Sequence, residues 1–345
     1  MMNDEDRRDP QTDTTASARV HWPAVAVFVV VAYALAWLVA LPLWFGDVES
    51  EGFAALFQLL AGAMMFTPTL AMLVVVFFMK RPRRERMRYL GIWPLRPAKR
   101  VVWFMVGAWL VPIPLVAATF AVAAAFGWVQ LDLQHFSGFA ATIEAQLVAA
   151  DPATAQLAAA AMPPVGLLAA LQIAIIPFLG LLNLLPALGE ELGWRGWLLP
   201  ALRPLGVWPS LLLSGAIWGL WHSPVILLGY NFNRTDAWGV VFMTLGCAAW
   251  GVLFGWLRLR SGSVWPAAIA HGVFNASGSV LLITLLAADQ QPNMLLVNPL
   301  GVPGWIVLAV VTAILVATGQ FKKEPILQKR NAPRSAAIGS GATAP

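Results

Sequence analysis

Two carboxylates and a guanidinium lie close together in LGEELGWRG, an otherwise apolar stretch of the chain. Glu191 and Arg195 are four residues apart, so on a helix they share one face, with the acid first, the favourable order for an ion pair. Glu190 is rotated by about 100° from Glu191, which leaves it for another role, such as general-base catalysis. The same trio would also suit a wet helix end, and position alone leaves both interpretations open.

Two histidines occur in other apolar stretches. His222 lies within AIWGLWHSPVILL, and His271 precedes Asn275 by one helical turn in HGVFN. On a helix, His271 and Asn275 project from one face at about 6 Å from each other, as a pair of polar groups suited to an oxyanion. Each motif alone has a simpler explanation, because single histidines are often packing residues and His and Asn also join membrane helices.

Taken together, these side chains favour amide hydrolysis. A glutamate and a histidine activate water, while a second histidine and an amide stabilise the oxyanion. The set Glu190, His222 and His271 also matches the ligands of a catalytic zinc ion with an open water position. The HExxH signature is absent, so such a zinc site would be assembled from separate helices, and a metal-free mechanism stays open beside it.

The elements that must position these residues are membrane helices. The chain has 345 residues, 59% hydrophobic and 11% charged, with a mean hydropathy of +0.72, and no alternating pattern of a membrane barrel. The sequence therefore predicts an all-α polytopic membrane protein. Apolar runs of about 20 residues, the length of a span, predict about eight transmembrane helices, at 22–45, 53–79, 101–127, 165–188, 207–229, 238–257, 264–287 and 303–319.

The basic residues predict the orientation. Segment 80–100 is the densest Lys and Arg cluster, which the positive-inside rule assigns to the cytoplasm. Alternation then places both termini and the loop with Arg258 and Arg260 on the same side, and the acidic loop 128–164 outside. The predicted division is a disordered cytoplasmic tail at 1–19, a membrane domain at 20–320 with its motif core at 165–287, and a second disordered cytoplasmic tail at 321–345. Topology and anionic lipid explain the basic charge, so no nucleic-acid partner is expected.

The three motifs resemble those of a known family, the CAAX prenyl protease and bacteriocin-processing (CPBP; Abi or Rce1-type) intramembrane proteases. GEELGWRG resembles the EExxxR motif. WGLWH is similar to the aromatic-x-x-x-His motif, with Trp218 where Phe is common, and HGVFN matches HxxxN. The motifs extend from Glu190 to Asn275 and occur in the family's order.

The resemblance implies an intramembrane endopeptidase near the cytoplasmic membrane face. It implies that Glu190 and His222 activate water, that His271 and Asn275 support the oxyanion, and that Glu191, Arg195 and Trp218 shape the site. The implied partners are the lipid bilayer and a membrane-associated peptide or protein substrate, with or without a lipid. The implied location is a plasma membrane of bacterial type. The family is often labelled metalloprotease, so the resemblance predicts Zn²⁺ as a cofactor, with a metal-free glutamate mechanism as the alternative.

Two other functions stay open at this point. In a transporter or proton-coupled carrier, the same polar groups would line a pathway, although the sequence shows no inverted repeat of the kind found in carriers. In a non-catalytic immunity or scaffold protein, they would only hold helices together. Proton-driven uptake would favour the carrier, and a phenotype that survives loss of the catalytic residues would favour the scaffold.

Overall fold

The computed structural model describes residues 19–322, and that part of the chain is helical. The predicted tails, 1–19 and 321–345, lie almost wholly outside the described residues. The first half contains helices α1 (Trp22–Phe45), α2 (Phe53–Met64), α3 (Thr67–Phe77), α4 (Arg86–Leu90), α5 (Ala98–Leu110), α6 (Pro112–Ala125), α7 (Ser137–Ala149) and α8 (Pro152–Ala160). The predicted all-α polytopic membrane fold is confirmed.

The second half carries the motifs. Its helices are α9 (Val165–Ala174), α10 (Ile176–Leu182), α11 (Leu184–Glu191), a π-helix (Leu192–Leu198), α12 (Leu199–Leu202), α13 (Val207–Trp221), α14 (Ser223–Ile226), α15 (Ala237–Ser261), α16 (Trp265–Leu285) and α17 (Val302–Ala317), with short 3₁₀ turns at Arg203–Leu205 and Met294–Leu296. In residues 19–322 the β pairing is confined to an isolated bridge between Leu131 and Leu286.

Five predicted spans correspond to helical segments that are long and apolar enough to cross a membrane. In residues 19–322 these segments are Trp22–Phe45, Phe53–Phe77, Ala98–Ala125, Ala237–Ser261 and Trp265–Leu285. Two of them contain a break, and the helix after the break, α3 in one and α6 in the other, has a proline in its first turn. Proline is tolerated in the first helical turn, where its missing N–H has no helical partner.

The other three predicted spans are shorter or interrupted. The run 165–188 is divided among α9, α10 and α11. Helices α8 and α9 meet at an angle of 92°, and they form a sixth span if the two cross the membrane as one unit. The run 207–229 is divided into α13, which ends at Trp221, and the short helix α14, which has Pro224 in its first turn, because proline removes a helical hydrogen bond. The last run contains α17, an apolar helix of 16 residues.

Small residues bring the motif helices close together. A Cβ added at Gly219 of α13 would lie 2.4 Å from the Cα of Thr244 in α15. A Cβ added at Gly272 of α16 would lie 2.5 Å from the carbonyl oxygen of Gly180 in α10. Glycine permits such close helix contacts in membranes. The crossing of α13 with α15 and of α16 with α10 therefore fixes the depth at which the polar side chains meet.

Candidate active site

The carboxylates of the first motif lie inside the protein, at the start of the π-helix. Glu190 and Glu191 end α11, and the π-helix Leu192–Leu198 follows directly, a wider helical turn that is frequent at functional sites. The side chains of Glu190, Glu191 and Arg195 are 1%, 0% and 0% exposed. The alternative of a wet helix end is therefore wrong, because the helical path continues through the motif to Leu202.

Glu191 is a bridge between two positive or protonatable groups. Arg195 Nη1 donates to Glu191 Oε1 at 2.7 Å, which is the ion pair that the spacing predicted. His271 Nδ1 lies 3.0 Å from the same oxygen. A carboxylate only accepts hydrogen bonds, so Nδ1 of His271 carries the proton. The other ring nitrogen, Nε2, makes no contact with Glu191 and is left for a different partner.

Glu190 is held by two tryptophans. The indole Nε1 of Trp218 donates to Glu190 Oε2 at 2.5 Å, and the indole of Trp194 donates to the same oxygen at 3.3 Å. Within the described residues, the hydrogen bonds of this carboxylate all go to Oε2, which leaves Oε1 for a water molecule. Neither histidine bonds to Glu190 there; the glutamate that pairs with a histidine is Glu191.

His222 directly follows α13 and packs against Trp218, the residue that bonds Glu190. Its Nδ1 lies 2.9 Å from the carbonyl oxygen of Trp218, so the ring donates from Nδ1 and keeps a lone pair on Nε2. The ring packs edge-on against Trp221 with centroids 4.6 Å apart. His222 therefore packs on both tryptophans of its own motif, Trp218 and Trp221.

Trp218 contacts all three motifs. Its indole bonds Glu190, and its ring centroid lies 5.8 Å from that of His222 and 5.3 Å from that of His271. The guanidinium of Arg195 lies over the same ring at 4.4 Å. The three sequence motifs therefore form one buried site around this indole.

Asn275 lies on α16 one turn after His271 and is half-buried. Its side chain makes no hydrogen bond to any residue between 19 and 322, so its amide is available to a ligand. The shared helix face with His271 is the one that the spacing predicted.

Comparison with known proteins covers the region that contains the three motifs. Residues 172–277 match the family model described as type II CAAX prenyl endopeptidase Rce1-like. The chain carries an Rce1-like domain. All three motifs lie inside this domain, from Glu190 to Asn275.

A curated relative covers part of the same region. The chain is 34% identical over 116 residues to CAAX prenyl protease 2 of Methanococcus maripaludis. The aligned part is 32% of this chain and 42% of that protein. The chain thus spans less than half the length of the curated relative it matches.

Three residues of the Rce1-like site were missed by sequence reasoning. Trp194 lies four residues after Glu190, so its spacing was a usable signal. Phe254 stacks on His271 with centroids 5.5 Å apart, and no local pattern marks it. Arg258 was assigned to a cytoplasmic loop, which is wrong, since it lies in α15 with 0% exposure.

Arg258 connects the site to the basic segment 80–100. Its Nε donates to the carbonyl oxygen of Arg195 at 3.0 Å, and its Nη2 donates to the carbonyl oxygen of Tyr89 at 2.7 Å. The first of these oxygens belongs to the π-helix. The guanidinium therefore joins the π-helix, which directly follows the two carboxylates, to α4 in the basic segment.

The donors predicted for zinc are not arranged around one point. Within residues 19–322, no group of three or more His, Cys, Asp and Glu side chains is placed to hold a metal ion. Glu190 Oε2 accepts from two indoles, and Glu191 occupies Nδ1 of His271. As placed, Glu190, His222 and His271 do not fit a shared zinc ion.

Proposed function

We propose that this protein is an intramembrane endopeptidase that hydrolyses a peptide bond near the cytoplasmic face of the membrane. The observation that carries the proposal is the buried Glu190 carboxylate, fixed through one oxygen and adjacent to an indole that also contacts His222 and His271. The Rce1-like domain supports the same reaction class.

Glu190 is the general base of the proposed reaction. Oε2 stays with the two indoles, and Oε1 accepts a proton from water as the water oxygen bonds to the substrate carbonyl carbon. His222 Nε2 accepts a hydrogen bond from the same water and orients it. When the C–N bond breaks, the proton on Glu190 passes to the leaving nitrogen, which regenerates the carboxylate.

His271 and Asn275 stabilise the oxyanion. Because Nδ1 of His271 already donates to Glu191, the ring donates from Nε2 only as an imidazolium. The Glu191 carboxylate fixes the orientation of the ring through Nδ1, and the Asn275 amide supplies a second donor. Donors fixed before the reaction begins stabilise developing charge without reorganisation.

The proposed substrate is a membrane-associated peptide or protein, with a prenylated C-terminal CAAX segment as the leading class. The curated relative carries the name CAAX prenyl protease 2. The cytoplasmic placement is supported by Arg258, which joins the π-helix to the most basic loop, since such loops face the cytoplasm. Both termini would lie on that side of a plasma membrane of bacterial type.

The test is cleavage by purified protein of matched prenylated and unprenylated peptides. His222→Ala should abolish cleavage with the protein still folded, while His135→Ala, in the exposed loop after α6, should retain it. Equal cleavage by wild type and His222→Ala would remove the proposed mechanism. Elemental analysis of the same sample tests the zinc prediction separately.

The interrupted run 165–188 is a reason to test the carrier alternative, because carriers place their sites at broken helices. Uptake driven by a proton gradient in liposomes, without peptide cleavage, would favour a carrier. Cleavage in detergent, where no gradient exists, would contradict it. A scaffold or immunity role predicts that a cellular phenotype survives His222→Ala.

A further inference from the structure

A second candidate site lies in the basic segment between α3 and α5. A pocket of about 560 Å³ opens there. Its lining is mainly cationic and includes Arg83, Arg84, Arg86, Arg88 and Trp93. Glu85 is the acidic residue of the lining, and it already accepts from Arg88 Nη1 at 3.1 Å. The pocket therefore has an excess of positive charge.

The pocket lies at the end of a membrane-spanning segment. The guanidinium of Arg86 is 4.9 Å from the ring centroid of Phe77, the last residue of the span Phe53–Phe77. Phe78 and Trp93 are 83% and 63% exposed, and exposed tryptophan is typical of the membrane interface. Lipid headgroups are found at this level, with acyl chains directly beside them.

We propose that this pocket binds the phosphate of an anionic phospholipid headgroup. Arginine binds phosphate with two parallel hydrogen bonds, and the lining supplies several guanidinium groups. The exposed Phe78 and Trp93 would contact the glycerol and upper acyl chain.

The same loop is attached to the catalytic helices. Tyr89 and Gly91 follow the arginines, and their carbonyl oxygens accept from Arg258 Nη2 at 2.7 Å and from Ser263 Oγ at 3.0 Å. Because Arg258 also bonds the π-helix that follows the two carboxylates, a lipid bound to this segment also stabilises the π-helix. This consequence for catalysis rests on the proposed function; the binding itself does not.

Native mass spectrometry of delipidated protein tests the binding. Phosphatidylglycerol should be retained in preference to phosphatidylcholine. The double variant Arg83→Gln and Arg84→Gln should bind it about 150-fold more weakly, from about 1.5 kcal/mol for each lost hydrogen bond between a guanidinium and the phosphate. The matched double variant Lys99→Gln and Arg100→Gln, in α5 and outside the pocket lining, should bind like wild type.

Three results would overturn the lipid site. One is equal retention of the two lipids by wild type, and another is an equal loss in both double variants. The third is full displacement of phosphatidylglycerol by inorganic phosphate at matched concentration, which would indicate a soluble phosphate site.

The catalytic consequence has its own test. Added phosphatidylglycerol should raise cleavage by wild type and leave the Arg83→Gln, Arg84→Gln variant unchanged. Selective lipid retention in a protein that cleaves no peptide would refute the proposed function and keep the lipid site. Peptide cleavage by a protein that does not retain phosphatidylglycerol selectively would refute the lipid site and keep the proposed function.

Discussion

Trp218→Phe removes one hydrogen bond from the proposed base and keeps an aromatic ring at that position. The phenyl ring keeps the aromatic face that contacts Arg195, His222 and His271, but it cannot donate to Glu190 Oε2. Phe is also common at this position in the family that the motif resembles, so the variant is expected to fold. The substitution therefore isolates the effect of the indole donor on the carboxylate.

The structure sets the expected magnitude. The lost bond is 2.5 Å long, and a hydrogen bond to a charged group contributes about 1.5–3 kcal/mol. At 1.36 kcal/mol for each factor of ten, this range corresponds to a loss of about 10- to 150-fold in rate. Trp194 still holds the same oxygen at 3.3 Å, so we expect the lower end, about tenfold. The loss should appear in kcat, because the indole contacts the base rather than the substrate.

The assay is steady-state cleavage of a peptide substrate by the purified variant, with the melting temperature as a measure of folding. Trp250→Phe is the matched control, since its indole donates to the Pro299 carbonyl oxygen at 3.0 Å, away from Glu190. It should keep the wild-type kcat. A kcat for Trp218→Phe within twofold of wild type, or an equal loss in the control, would refute the reasoning.

Three further changes test the parts that support the site. Arg258→Ala removes a buried guanidinium that donates to two carbonyl oxygens, and each of these hydrogen bonds contributes about 1.5–3 kcal/mol to stability. The melting temperature of Arg258→Ala should therefore be well below that of Arg260→Ala. An equal fall in the two variants would contradict the bridging role of Arg258. Gly193→Ala would place a Cβ 2.5 Å from a carbon atom of Pro68 in α3, and this clash should lower the free energy of unfolding by about 1–3 kcal/mol. A Cβ at Gly278 meets open space, so Gly278→Ala should leave the melting temperature unchanged. In the loop after α6, hydrogen bonds from the backbone of the following residues hold the pKa of Asp132 below its usual range. The resulting stability is present above the ordinary Asp pKa and is lost as the pH falls through the lowered one. Asp132→Asn should therefore speed limited proteolysis of the loop at neutral pH, with the difference from wild type vanishing in strong acid; a pH-independent difference would show that charge is not the cause.

Local spacing predicted those parts of the site that lie within one helix. The Glu191–Arg195 pair follows from a separation of four residues, and the shared face of His271 and Asn275 follows from the same rule. The spans with long apolar runs were also predictable, because hydrophobic length alone defines them.

Contacts between helices were not predictable in the same way. The bond between Glu190 and Trp218 depends on how α11 and α13 are rotated and on close packing at Gly219. Arg258 was interpreted as a surface charge because the sequence does not show that α15 continues as a buried helix to Ser261. The π-helix likewise has no residue pattern of its own, although it determines where Arg195 points.

The most direct test of the central claim is peptide cleavage by purified Glu190→Gln. Glutamine has nearly the same shape and can still accept from both indoles through its carbonyl oxygen, but it cannot take a proton from water. The account predicts that Glu190→Gln folds like wild type and gives no detectable cleavage, while Glu144→Gln in α7 cleaves normally. Cleavage by folded Glu190→Gln at the wild-type rate would contradict the assignment of Glu190 as the base.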